Sequence, residues 1–272
     1  MKRRDNSLAA VKLVALGGFE TRIVSQLDSS RINPDISVIL MNNTVAEVKC
    51  PWDKTYFCIS RRQLTEHQKT AFLECIADTK VLIVLTNLEE RITTLAPVIA
   101  ELARRQGALT ICLAIKSENT DDIQQLRQSY DAVIPIESDI LSYTTDDINA
   151  SICEALEGLL YITCNYEWKL QFLRDHGGDV RMAIFKGRGT SCVNDIVHDM
   201  VTSPLLGDAL QSCKHMLRFY FLAPHHVSLS DSAELGLAIT EHSNDACEVD
   251  GAISFSQEEG DDDIMLILLV AN

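Results

Sequence analysis

Short apolar runs alternate with stretches of helical period through the first half of the chain. Residues 11–16 and 37–41 read as strands and 21–27 between them as a helix, a βαβ opening. The pattern then predicts a helix over 63–76, a strand over 81–85, a helix over 97–105, a strand over 108–115, a helix over 121–129 and a strand over 132–136. Val81-Leu82-Ile83-Val84-Leu85 is apolar throughout, as a strand covered on both faces must be. The expectation is an α/β fold: a Rossmann-like, mostly parallel sheet with helices on both faces.

Ile148, Ile152, Ala155, Leu156, Leu159 and Leu160 recur at helical spacing within 145–164, a stripe long enough to run between two domains. It divides the chain into a first domain over 1–144, a central helix over 145–165 and a smaller α/β domain over 166–272. In the last, residues 181–185, 216–222, 251–255 and 264–270 read as strands, and 192–202 and 231–240 as helices. The link 257–263, Gln-Glu-Glu-Gly-Asp-Asp-Asp, is polar and contains glycine. It is expected to be a hairpin turn between the last two strands.

A parallel sheet of this kind commonly carries a glycine-rich phosphate loop between a strand and the next helix. Here the stretch between the strand at 81–85 and the helix near Ala96-Pro97 reads Thr86-Asn87-Leu88-Glu89-Glu90-Arg91-Ile92-Thr93-Thr94, with no glycine. Side chains stand where a backbone would approach phosphate oxygens, and Glu89 and Glu90 bring negative charge to the start of that helix. One carboxylate about 4 Å from one phosphate charge costs roughly 4 kcal/mol at an effective dielectric near 20, or about three decades of affinity. Read instead as partners of the helix dipole, the same acids are worth about 0.3–1 kcal/mol. Neither reading leaves room for a phosphate. Gly17-Gly18, after the first strand, can be a remnant anion site or the tight βα turn that the fold needs without any ligand.

Charge narrows the partners. The chain has 272 residues, a formal charge of −15, a pI near 4.8 and 46% hydrophobic residues, enough for one large core or two modest ones. Nucleic-acid backbones and anionic membranes select basic surfaces, so neither is an expected partner. The nine cysteines are scattered without a C-x-x-C and read as reduced thiols, some of them in the core, such as Cys112 and Cys153. No signal peptide and no membrane-spanning run is read, so no direct membrane insertion is expected and the expected compartment is the cytoplasm. His225-His226 lacks a carboxylate or histidine at i, i+4, and no metal is assigned to it.

Several strings, in order, carry a resemblance. They are Val11 through Gly18; Ala77-Asp78 with the strand after it; Ala96-Pro97-Val98-Ile99-Ala100-Glu101-Leu102-Ala103 with Gly107-Ala108-Leu109-Thr110; Asp131 through Pro135; and Thr202-Ser203-Pro204-Leu205-Leu206. Together with the order of elements, the chain resembles FtsZ and the tubulin-like GTPases over nearly its whole length. The resemblance implies an N-terminal GTP-binding domain, a central helix, and a C-terminal domain whose loop completes the GTPase site of the next subunit in a filament.

Most positions that would do this work are altered. Gly17 and Gly18 remain of the first loop, but Phe19 and Glu20 replace the glycines that follow and Arg22 an asparagine. Asn42 remains of the second, followed by Asn43-Thr44. Leu88 through Thr94 stand where the family writes G-G-G-T-G-T-G. Tyr143 and Asp146 match the base-facing positions, though an aspartate at a helix start is also an ordinary cap. The activating loop, N-x-D-F-A-D in the family, reads Asn165-Tyr166-Glu167-Trp168-Lys169-Leu170, and a leucine at the second carboxylate position cannot orient water.

The remnant nucleotide cleft is thus Gly17, Gly18, Asn42, Tyr143 and Asp146, and the docking loop Asn165, Tyr166, Glu167 and Trp168, its aromatics suited to anchoring a neighbour or to packing on their own domain. No catalytic residue, metal or cofactor is expected. The function implied is that of an FtsZ-like cytoskeletal protein without GTP hydrolysis or tight GTP binding, an accessory or regulatory subunit contacting an FtsZ-like filament or itself. The alternative is a working, filament-forming division protein that binds GTP and magnesium, with Arg22 or Arg91 supplying phosphate charge. An enzyme with a new small-molecule pocket would need a polar cluster outside these loops, and the sequence displays none.

Overall fold

The computed structural model describes residues 10–28, 32, 36–43, 52–59, 63–115, 120–136, 148–166, 170–175, 178–203, 206, 209–222, 228–255 and 264–271. The chain forms two compact units, residues 1–178 and 179–272.

In the first unit six strands pair in parallel: β1 (Val11–Leu16), β2 (Ile36–Asn42), β3 (Asp53–Cys58), β4 (Val81–Asn87), β5 (Leu109–Ile115) and β6 (Ala132–Ile136), in the order β3-β2-β1-β4-β5-β6. The central strands β1, β4 and β5 are buried on both faces almost throughout, which is why their sequences are nearly unbroken apolar runs. Two polar residues inside those runs have partners. Lys12 donates to the Cys75 carbonyl, and the Thr110 hydroxyl and N–H both donate to Asp131. Strand β3 was not legible as a strand; four of its first five residues are exposed, as suits an edge.

Helices α1 (Gly18–Gln26), α2 (Glu66–Cys75), α3 (Ala96–Arg105), α4 (Thr120–Ser129) and α5 (Ile148–Tyr166) cover the sheet. Alternate strand residues, Val14, Leu16, Leu82, Val84, Cys112 and Ala114, join α2, α3 and α4 in one core cluster built on Phe72, Leu95 and Ile99. The intervening residues lie outside that cluster, and α1 and α5 pack on each other and on β1. The predicted helix over 63–76 begins three residues later, at Glu66, where Thr65 and Gln68 form a reciprocal capping box. The short helix α6 (Phe172–Asp175) follows α5.

The second unit holds β7 (Gly178–Gly187), α7 (Cys192–Thr202), α8 (Ala209–Ser212), β8 (His215–Leu222), α9 (Leu229–His242), β9 (Glu248–Phe255) and β10 (Ile264–Ala271). Its strand order is β7-β10-β8-β9, antiparallel except for β8 with β9. The expected hairpin between the last two strands is therefore wrong, because β8 lies between them. The reason is burial. Ile264–Ala271 is wholly apolar and takes a central place, whereas Glu248–Phe255 carries polar residues suited to the edge. Helices α7 and α9 pack on each other over a core of Ile196, Met200, Leu235, Ile239, Leu266 and Leu268.

Candidate functional site

The chain runs outward from β1 through β2 to β3, then returns beside β1 as β4 and runs the other way to β6. The reversal falls between β1 and β4, and the crevice beyond the carboxyl ends of two such strands is where parallel α/β sheets take ligands. Leu16 is in register with Thr86, so the turn at Gly17 and the loop after Asn87 lie side by side at this point.

Gly17 begins the turn with φ 137° and ψ −179°, and is the cap residue of α1 without a capping side chain. Its N–H donates to Met41 O at 3.0 Å and its carbonyl accepts from the Thr21 hydroxyl at 2.6 Å. The first free N–H groups of α1 are those of Gly18 and Phe19. They donate to the two oxygens of one carboxylate, Glu90 Oε2 at 3.3 Å and Oε1 at 3.2 Å. A protein side chain thus sits where a phosphate sits on helices of this kind.

This corrects the placement of charge read from the sequence. A 3₁₀ turn, Arg91–Leu95, separates Glu89 and Glu90 from α3, so they do not serve that helix. Glu90 reaches across to α1, and Glu89 is exposed. The loop is held by its own bonds. Leu88 N–H donates to Ile115 O at 3.1 Å, Glu89 and Glu90 N–H to the Asn87 side chain and carbonyl, both at 3.0 Å, and the Thr93 hydroxyl to Asn87 O at 2.6 Å. Leu88 and Leu95 are buried in the α2–α3 core, with Ile92 packed against it. Positions matched to the family's phosphate glycines therefore anchor the loop by burial.

The residue missed from sequence is Glu20, read there only as a lost glycine. It is fully buried; Oε1 accepts the Asn87 N–H and Oε2 has no hydrogen-bond partner. Burial first, and the neighbouring Glu90 carboxylate next among the raising influences, push its carboxyl up to about 8, against the lowering effect of backbone N–H groups and Arg22. The available signal was its place as the third residue of α1, where an acid commonly serves a helix start. The two arginines of the alternative reading are both exposed, and the Arg22 guanidinium lies over the Phe19 ring, 5.7 Å from its centre.

Of the remnant cleft, Gly17, Gly18 and Asn42 come together; a Cβ on Gly18 would lie 3.5 Å from the Asn42 side-chain amide. Asn42 also accepts the Asn43 N–H at 2.7 Å. Tyr143, Asp146, Glu167, Trp168 and the His225-His226 pair lie outside the described residues. Asn165 and Tyr166 end α5. The Asn165 amide donates to Tyr161 O at 2.8 Å, and the Tyr166 ring lies 6.5 Å from that of Tyr161, its hydroxyl pKa raised by burial and by Tyr161. Leu170 is fully buried. Among the described residues no group of three or more His, Cys, Asp or Glu is placed to hold a metal, and no helix is long and apolar enough to cross a membrane.

No family model matches the sequence, and no curated protein matches it. Solved structures do. An empty FtsZ dimer from M. jannaschii aligns with a TM-score of 0.79 at 15% identity, covering 97% of this chain and 88% of that one. CetZ2 from Haloferax volcanii, a GTPgS-bound protofilament, aligns with a TM-score of 0.70 at 15% identity over 96% of this chain and 92% of that one, and the GDP-bound CetZ1 monomer from the same organism aligns with a TM-score of 0.69 at 14% identity over 96% of this chain and 93% of that one. The chain has the FtsZ/tubulin-like fold.

Proposed function

We propose that this FtsZ-like cytoskeletal fold has lost GTP hydrolysis and tight GTP binding, and that the protein works in the cytoplasm as an accessory or regulatory subunit through contacts with an FtsZ-like filament or with itself. One observation carries the reading: the Glu90 carboxylate takes both N–H groups with which α1 would meet a phosphate. A polyphosphate would have to expel it or sit beside it, and one close pair of like charges costs roughly 4 kcal/mol in such a setting. The residues do not fit GTP with magnesium. No glycine remains between Thr86 and Thr94, Glu20 and Glu90 flank Gly17, and the arginines that could compensate are exposed.

The hydrolytic half points the same way. Leu170 is an interior side chain at the position where a second carboxylate would position water. What supports association is the fold itself, since similar structures include a dimer and a protofilament.

Titration calorimetry with GTP and GTPγS in magnesium, at neutral pH, is expected to give no binding heat up to roughly millimolar nucleotide, about −4 kcal/mol. Micromolar binding would overturn the loss of nucleotide. Sedimentation with an FtsZ-like filament is expected to show co-pelleting or a change in polymer length, and sedimentation alone to show self-association if the partner is a second copy. Failure of all three would overturn the accessory role.

A further inference from the structure

The seat on α1 contains a second acid whose chemistry the proposed function leaves unused. Glu20 Oε2 is buried and has no partner, yet it and Glu90 Oε2 both abut the position that a Cβ on Gly17 would take. The two carboxyl groups thus lie against the same side of the glycine. Two ionised carboxylates in that space repel, and a buried oxygen without a donor is itself costly. One proton removes both penalties. On Glu20 Oε2 it cancels the buried charge and turns the orphan oxygen into a donor, with Glu90 Oε2 as an acceptor against the same Gly17 position.

We propose that Glu20 donates this proton to Glu90 Oε2, forming an acid–carboxylate pair that holds Glu90 on the Gly18 and Phe19 N–H groups, and that losing the proton unlatches the loop from α1. The inference rests on the reading of Glu90 as the occupant of the seat and adds what controls it. Glu90 is bound by three donors in the latched state, two from the backbone and one from Glu20. Ionised Glu20 would replace the third with a repelling charge.

Among the described residues, few charged groups act on Glu20. From the loop after β4 there is Glu90, and from its own helix Arg22. On α5, which packs against α1, Glu157 accepts the Asp28 N–H at the far end of α1. On β1, Lys12 is bonded to Cys75 O near the opposite end of the strand. With the carboxyl held up to about 8 against an ordinary 4.5, the folded chain keeps a proton that the unfolded chain releases. Stability therefore falls as pH rises through that window, the reverse of a salt-bridged carboxylate.

The test is a side-chain carboxyl NMR titration of the full chain with labelled glutamate, from about pH 5 to about pH 10, following the Gly18 and Phe19 amides in parallel. One glutamate is expected to titrate with a midpoint near 8, and both amides to move with it. Glu20→Gln should remove that titration and flatten the fall of Tm with pH, because the amide keeps a donor for Glu90 without ionising. Glu90→Gln should bring the Glu20 midpoint down by about one unit. If Glu20→Gln does not fold, the wild-type titration and Glu90→Gln decide. The latch is overturned if every glutamate titrates below about pH 6, if the midpoint near 8 survives Glu20→Gln, or if the two amides ignore it. GTP binding by the wild type at neutral pH would overturn the functional reading and leave the titration standing; absent titration without GTP binding would overturn the latch alone.

Discussion

Gly17→Ala tests the seat at the backbone. At φ 137° and ψ −179° the residue occupies a region open essentially only to glycine, where a side chain costs about 1–3 kcal/mol. The peptide cannot turn freely to relieve this, because its N–H is bonded to Met41 and its carbonyl to Thr21. The new methyl would also overlap carboxylate oxygens of Glu20 and Glu90, with Glu90 Cδ only 2.9 Å away. Glu90 can swing aside, but doing so forfeits its two charge-assisted bonds to Gly18 and Phe19, about 1–2 kcal/mol for a half-buried pair. The sum is about 2–5 kcal/mol, read as a shift in urea midpoint at constant slope. A double-mutant cycle isolates the second part. In the Glu90→Ala background the methyl has less to displace, so the cost of Gly17→Ala should shrink by about 1–2 kcal/mol. A cost below about 0.5 kcal/mol, or strict additivity with Glu90→Ala, would refute the claim that the glycine is needed because a carboxylate fills the space above it.

Thr65→Ala should lower stability by about 1 kcal/mol in urea unfolding, since it removes the hydroxyl that accepts the Gln68 N–H at the start of α2 and leaves only the Thr65 backbone N–H bonded to the Gln68 side chain. Leu170→Asp, which places an acid at the position matched to the family's second carboxylate, should destabilise by at least about 4 kcal/mol, because the side chain is buried; an unchanged Tm would contradict this. The Asp231 carboxylate accepts the Ser228 N–H and hydroxyl at 2.7 and 2.8 Å and is thereby held below its ordinary value. Its support for the start of α9 is present above that ordinary value and lost as pH falls through the lowered one, and Ser228→Ala should raise the Asp231 midpoint in a carboxyl titration.

Elements with a strong local period were legible in the sequence. The buried strands β1, β4 and β5 announce themselves as apolar runs, and the amphipathic α3 and the long α5 as stripes. Strand β3 was not, because an exposed edge strand such as Asp53–Cys58 has little burial to print on its sequence. The error over the last two strands was of a different kind. A polar, glycine-containing link suggests a hairpin only if adjacency in the chain is taken as adjacency in the sheet, and the wholly apolar β10 competes for the central place. At the site, residues 86–94 read as a loop without glycine, and side-chain burial at Leu88 and hydrogen bonds to Asn87 hold it. Which helix Glu90 would serve was not readable, since that depends on the register of β1 with β4 and on a 3₁₀ turn no periodicity marks.

That register explains why acid and missing glycine belong together. The first N–H groups of a helix need acceptors, and in a phosphate-binding protein the ligand supplies them. A loop without glycine keeps its backbone at a distance, yet it can still reach α1 with a side chain as long as glutamate, and Glu90 does so. Leu88 and Leu95 hold the loop in the core at both ends, and Glu20 ties it to α1 through the Asn87 N–H. Substituting glycines into this loop would therefore loosen it without vacating the seat. Removing Glu90 alone would bare two N–H groups beside the buried Glu20 carboxyl. Phosphate affinity at α1 consequently requires changes at Glu20, Glu90 and the loop together, and no single substitution among them is expected to restore it.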